Sequence, residues 1–169
     1  MADYLTNKKI ISEALLNMIN LKENMGNAWI IVTDADSDAF VQFRNELNNQ
    51  IFLDFPLVSL TDLEINRAEK LFKSLGVFAP EKIVLVDNEN DNKKIVSIMK
   101  SMGMKSMGTT LYKEIKPYLI DIDYSLLEVY KYDFGSECDK AAEFALKILN
   151  DVFLLGKNIN LAIEKGWEL

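Results

Sequence analysis

Residues 38–76 constrain this chain more than any other stretch. They read D-A-F-V-Q-F-R, then N-N-Q-I-F-L-D-F-P, then T-D-L-E-I-N-R-A-E-K-L-F-K-S-L-G. The first two runs alternate apolar and polar residues around Asn48-Asn49, which predicts a β-hairpin over Ala39–Phe43 and Ile51–Phe55. Pro56 stops the second strand. Thr61-Asp-Leu-Glu64 then forms a capping box, Thr61 capping the helix while Glu64 reaches back. Leu63, Ala68, Leu71, Phe72 and Leu75 make one apolar stripe on that helix. Asp62 and Glu64 at its start and Lys70 and Lys73 near its end complement the helix dipole, and Gly76 closes it. The stretch fixes an architecture and carries almost no chemistry.

The flanking segments extend the pattern. Ile10, Ile11, Ala14, Leu15, Met18 and Ile19 recur at helical spacing, predicting a helix from Leu5 to about Met25, with Thr6 as cap and Gly26 as stop. Ala28–Thr33 is a strand, and Asp34–Asp38 a turn that leads into the hairpin, giving a three-stranded antiparallel meander. Beyond Pro80, Lys82–Val86 reads as a short strand and Ile95–Met99 as a strand or a helical turn. Tyr118–Asp123 and Leu126–Phe134 have strand composition. A broad apolar face from Ala141 to Phe153 predicts a last helix over Ser136–Leu155, capped by Gly156. Asn158–Leu169 then pairs as an edge strand or frays. The order is helix, three strands, helix, two or three strands, helix. That grouping predicts an α+β fold, an antiparallel sheet with helices packed on it. At 169 residues the chain fits a single domain over 1–169, with 81–117 a variable insertion or flexible link.

Composition narrows the chemistry. The chain has no histidine and one cysteine, Cys138, so no internal disulfide forms and a reducing compartment fits best. A formal charge of −7, with no run of Lys and Arg, argues against nucleic acid. Apolar runs of four to five residues fall far short of the roughly 20 needed to span a bilayer. No secretory signal is visible. A cytoplasmic protein without a membrane partner is expected.

Each constellation that resembles a catalytic or metal site fails on inspection. Asp34-x-Asp36-x-Asp38 opens like a calcium loop, but Ala39 replaces the required glycine and Asn45 the bidentate glutamate. Asp87 and Glu89, followed by Asp121 or Asp123, imitate the acidic pocket of a phosphoacceptor receiver, yet βα alternation does not follow. Cys138 lies between Glu137 and Asp139, which oppose the thiolate. Gly103 and Gly108 lack the strand–loop–helix context of a phosphate loop. No enzymatic activity, metal or cofactor is therefore expected.

Two features point to binding instead. Met99-Lys-Ser-Met-Gly is followed at once by Met104-Lys-Ser-Met-Gly, so Met99, Met102, Met104 and Met107 recur in a five-residue repeat. Flexible, polarizable methionines suit surfaces that grip varied apolar partners, and they also fill core gaps. Phe40 and Phe52, alternating with Gln42 and Asp54, mark a sheet face that either receives a partner segment or lies beneath a helix.

A-F-V-Q-F at 39–43, I-F-L-D-F-P at 51–56, L-F-K-S-L-G-V-F-A-P at 71–80 and D-K-A-A-E-F-A-L-K-I-L-N-D-V-F at 139–153 resemble the YbjN and TY-Chap group, domains similar to the chaperones of type III secretion. The resemblance covers about two-thirds of the chain and departs from the family at 81–117. It implies a helix, a three-stranded meander, a helix, further strands and a final helix. It also implies a non-enzymatic, acidic, cytosolic protein, often a homodimer, that holds a partner polypeptide through an apolar groove or a sheet edge. Two alternatives stand beside it. One is an immunity or antitoxin-like acidic inhibitor of a basic enzyme, the other a degenerate receiver-like regulator.

Overall fold

The computed structural model describes residues 3–21, 28–46, 49–101, 112–156 and 159–166. The fold is α+β. Its strands hydrogen-bond in the order β4-β5-β3-β2-β1-β6 in one antiparallel sheet. In chain order the elements are α1 (Tyr4–Ile19), β1 (Trp29–Asp34), β2 (Phe40–Glu46), β3 (Gln50–Pro56), α2 (Asp62–Lys73), β4 (Glu81–Leu85), α3 (Glu89–Ser101), α4 (Tyr112–Ile115), β5 (Ser125–Asp133), α5 (Cys138–Lys147) and β6 (Leu161–Gly166). Among the described residues no helix is long and apolar enough to cross a membrane.

The chain divides into two compact units. The first comprises Met1–Phe55, Leu60–Ala79 and Tyr130–Leu169. In it, β1, β2 and β3 form the expected meander. Their alternation puts Ile30, Val32, Val41, Phe43, Ile51, Leu53 and Phe55 on one buried face. Three helices supply the other half of that core. From α1 come Ile11, Leu15 and Met18, from α2 Ala68 and Phe72, and from α5 Ala141, Phe144 and Ala145. Phe72 is the hub: its ring stacks on Tyr130 with centroids 4.4 Å apart and also meets Phe55 and Phe144. Burying such a side chain stabilises by about 1.5–3 kcal/mol.

The ends of these helices show which local signals win. The capping box forms as written: Glu64 N–H donates to Thr61 Oγ1 at 3.2 Å, and Thr61 N–H to Glu64 Oε1 at 2.9 Å. After α2, Gly76 takes φ 80°, and Val77 N–H closes onto Phe72 O at 3.0 Å. At α1 the cap is Asp3, one turn before the expected Thr6. The Asp3 carboxylate accepts Thr6 N–H at 2.8 Å, and that hydrogen bond holds its carboxyl below the usual range. The Gly26 stop lies outside the described residues. The last helix is shorter than Ser136–Leu155: α5 ends at Lys147 and a π turn follows over Ile148–Val152. The wider turn carries Phe153 onto Phe55, with centroids 6.1 Å apart, and presents Val152 O to Arg67 Nε at 2.9 Å.

The second unit comprises Pro56–Ser59 and Pro80–Val129. Here β4 pairs antiparallel with the first half of β5, from Glu81 opposite Val129 to Leu85 opposite Ser125. Val84, Ile95, Met99, Ile115 and Ile122 form its core. Ile95–Met99 is thus part of a helix, α3. Tyr118–Asp123 is not a strand: Pro117 sits in a 3₁₀ turn over Lys116–Tyr118, and Asp121 takes a left-handed φ of 62°. Its I-D-I-D alternation imitates a strand, but the backbone turns before it at Pro117 and within it at Asp121. Among the described residues two α-helices therefore separate the fourth and fifth strands, and a sixth strand follows α5.

Candidate functional site

The second face of the meander in the first unit carries Trp29, Phe40 and Phe52. Strand periodicity sends every second residue there, and cross-strand register sorts them into rows. In one row Gly166, Trp29, Arg44 and Phe52 lie opposite one another in turn. In the next are Glu164, Ile31, Gln42 and Asp54, and then Ala162, Thr33 and Phe40. Trp29, Ile31, Phe40 and Phe52 are all half-buried, while the opposite faces of the same strands are closed by α1, α2 and α5.

Arg44 organises this face. Its guanidinium lies 5.0 Å from the Phe52 ring centre, and its Nε donates to Asp54 Oδ2. The side chains of Arg44 and Asp54 are 20% and 14% exposed, so the ion pair is largely withdrawn from water. Asp54 Oδ1 is buried without a donor among the described residues. The result is an aromatic surface with a fixed, paired charge at its centre.

The structure brings Phe40 and Phe52 to this one face, on adjacent strands. It places Met99 elsewhere: 4% exposed, inside the core of the second unit, where the thioether fills a gap among Val84, Ile95 and Ile115. Met102, Met104 and Met107 lie outside the described residues. Trp29, Arg44 and Gly166 complete the face and were not among the sequence candidates. The signal that would have found Trp29 and Arg44 is the extension of the Phe40/Gln42 alternation across two strands.

Two acidic side chains near the acidic constellations of the sequence make structural hydrogen bonds. Asp34 is buried and its Oδ1 accepts Asn160 N–H at 3.1 Å, tying a turn to the segment before β6. Asp91 Oδ2 accepts Asp123 N–H at 3.4 Å in the second unit. Among the described residues no three acidic or cysteine side chains are grouped so as to hold a metal. The antiparallel pairing of β4 and β5 also departs from the parallel βα order of a receiver.

Cys138 lines an open groove of about 530 Å³ between α1 and the start of α5, together with Ser12 and Leu16. Ser12 Oγ donates to Asp139 Oδ1 at 2.6 Å, and Lys140 pairs with Glu137 at 3.0 Å. Burial pushes the Cys138 thiol up, and the Asp139 charge adds to it, so both disfavour the thiolate.

No family model matches this chain, and no curated protein and no solved structure matches it either.

Proposed function

We propose that the chain is a non-enzymatic protein-binding domain, chaperone-like or adaptor-like, that holds a partner polypeptide on the outer face of its first unit. The observation that carries this reading is the row structure of that face. Trp29, Phe40 and Phe52 remain half-covered on a rigid sheet, around an Arg44–Asp54 pair that is already neutralised. Aromatic residues and arginine are the side chains that most often anchor interfaces. The element order of the first unit, a helix, a meander and a capped helix, supports kinship with the YbjN and TY-Chap group. A cytoplasmic home and a homodimeric state belong to the same reading, the first supported by the single cysteine.

The test is binding of a model unfolded client, reduced and carboxymethylated α-lactalbumin, to the full chain. The Phe40→Ser/Phe52→Ser chain should bind at least fivefold more weakly with its thermal midpoint little changed. Equal binding would remove this reading. Binding confined to basic proteins and abolished at high salt would instead favour the acidic-inhibitor reading.

A further inference from the structure

The last strand is held differently from the other strands of its unit. We propose that β6 is a resident, displaceable strand on a peptide-docking edge. The segment that replaces it is an extended stretch of a partner polypeptide, with apolar residues at alternate positions and a glycine opposite Trp29. This rests on the reading that the chain binds a partner polypeptide, and it names the mode and the partner's pattern.

Strands β1 and β3 each anchor themselves through alternate buried residues, whereas none of the six residues of β6 is buried. The main chain of β6 is laddered along the whole of β1, from Asp34 opposite Leu161 to Trp29 opposite Gly166. A second extended segment can reproduce those hydrogen bonds one for one, because a ladder is blind to sequence. Elements with little buried side-chain surface are also the ones that open first in native proteins.

Sequence matters at two places along this edge. A Cβ built on Gly166 would fall inside the Trp29 indole, on Cε2 and Cζ2, so any larger residue must push the ring aside. On the opposite face Leu161 stands across from Asp34 and Ile163 across from Val32, two alternate apolar residues, and Lys165 stands across from Ile30. The resident strand thus displays the pattern that the edge accepts.

The two ends of β6 also differ. Just before it, Asn7 Nδ2 donates to Ile159 O at 3.3 Å, Ala35 N–H to Asn160 O at 2.8 Å, and Asn160 N–H to Asp34 Oδ1 at 3.1 Å. The root is pinned and buried at Ile159, while the far end is held by the Trp29–Gly166 contact. Displacement therefore starts at Gly166 and leaves the strand tethered, where it competes at an effective concentration in the millimolar range.

The experiment uses the full chain and a fluorescein-labelled peptide of the sequence Ile159–Gly166, supplied at millimolar concentration and followed by anisotropy. Three chains are compared with the native one. Gly166→Ala weakens the resident strand. Thr33→Cys/Ala162→Cys, in a Cys138→Ser background, locks it, since directly opposed strand residues lie within disulfide reach. Cys138→Ser alone is the control.

Peptide uptake by Gly166→Ala should exceed that of the native chain at least fivefold. The oxidised lock should take up none and recover on reduction, and a peptide with alanine in place of its glycine should bind at least fivefold more weakly. No uptake by Gly166→Ala, or equal uptake by the oxidised and reduced lock, overturns the proposal. Amide exchange in the native chain gives an independent reading: Ala162–Lys165 should exchange at least tenfold faster than Val41–Phe43, and equal rates overturn it too. Disulfides that join two copies of the double-cysteine chain identify the occupant as a second copy and overturn the partner assignment. Client binding without peptide uptake removes this inference alone; peptide uptake without client binding removes the client reading.

Discussion

Arg44 and Asp54 place a charge pair where a soluble sheet face would ordinarily show threonine or lysine. Removing one member of such a shielded pair strands the other, a loss of about 3 kcal/mol in comparable settings. Arg44→Met keeps the apolar stem over Phe52 but abandons the Asp54 carboxylate, so urea denaturation should show a loss near that size. Adding Asp54→Leu should restore most of it, and a double variant no more stable than the single one would contradict the pair's role. Cys138 gives a second expectation at this scale. Its folded thiol titrates above the ordinary value, so the neutral form stabilises the fold below the unfolded thiol's pKa and that contribution is lost as pH rises through the folded one. Iodoacetamide alkylation should accordingly have a midpoint above pH 8.5, the ordinary thiol value. A midpoint at or below it would mean that the thiol is better solvated than its half-buried position indicates.

The elements that were legible in the sequence are those decided locally. Thr61 and Glu64 sit three residues apart and satisfy each other's backbone, so α2 could be bounded before any tertiary contact was known. Thr61→Ala should destabilise by about 1 kcal/mol, measured by thermal unfolding, and a neutral result would assign the helix start to packing alone. The meander was legible because alternation over five residues survives burial of one face. Elsewhere two signals competed within one turn. Asp3 and Thr6 are both good caps, and the choice fell to the residue whose side chain reaches the Thr6 N–H. In Ile120–Asp123 the alternation matches a strand, but Pro117 and the left-handed Asp121 deny it a ladder. The π turn after α5 left no mark on the apolar stripe. Part of the candidate face was legible through Phe40 and Phe52. The Trp29–Gly166 contact was not, because it joins residues from opposite ends of the chain and depends on register.

At the scale of the molecule, each unit has its own core, so each has its own sensitive position. Phe72 touches Phe55, Tyr130 and Phe144, and Phe72→Ala should cost about 3–5 kcal/mol, a large share of a typical domain's stability. Urea denaturation followed by tryptophan fluorescence reads it, and a cost under 1 kcal/mol would deny the hub role. Ile115 plays that part in the second unit, where Ile115→Ala should cost about 2–5 kcal/mol and speed amide exchange at Val84 and Ile95. The same core has a further consequence. It draws Val84 and Ile95 from before the methionine repeat, Met99 from its first position, and Ile115 and Ile122 from after it, and Asp91 fastens the earlier part to Asp123 in the later one. A protease cut within the repeat, at Lys105, would divide the polypeptide but not this cluster. The two fragments should elute together until denaturant is added, which makes the repeat a natural place to split the chain into a self-assembling pair.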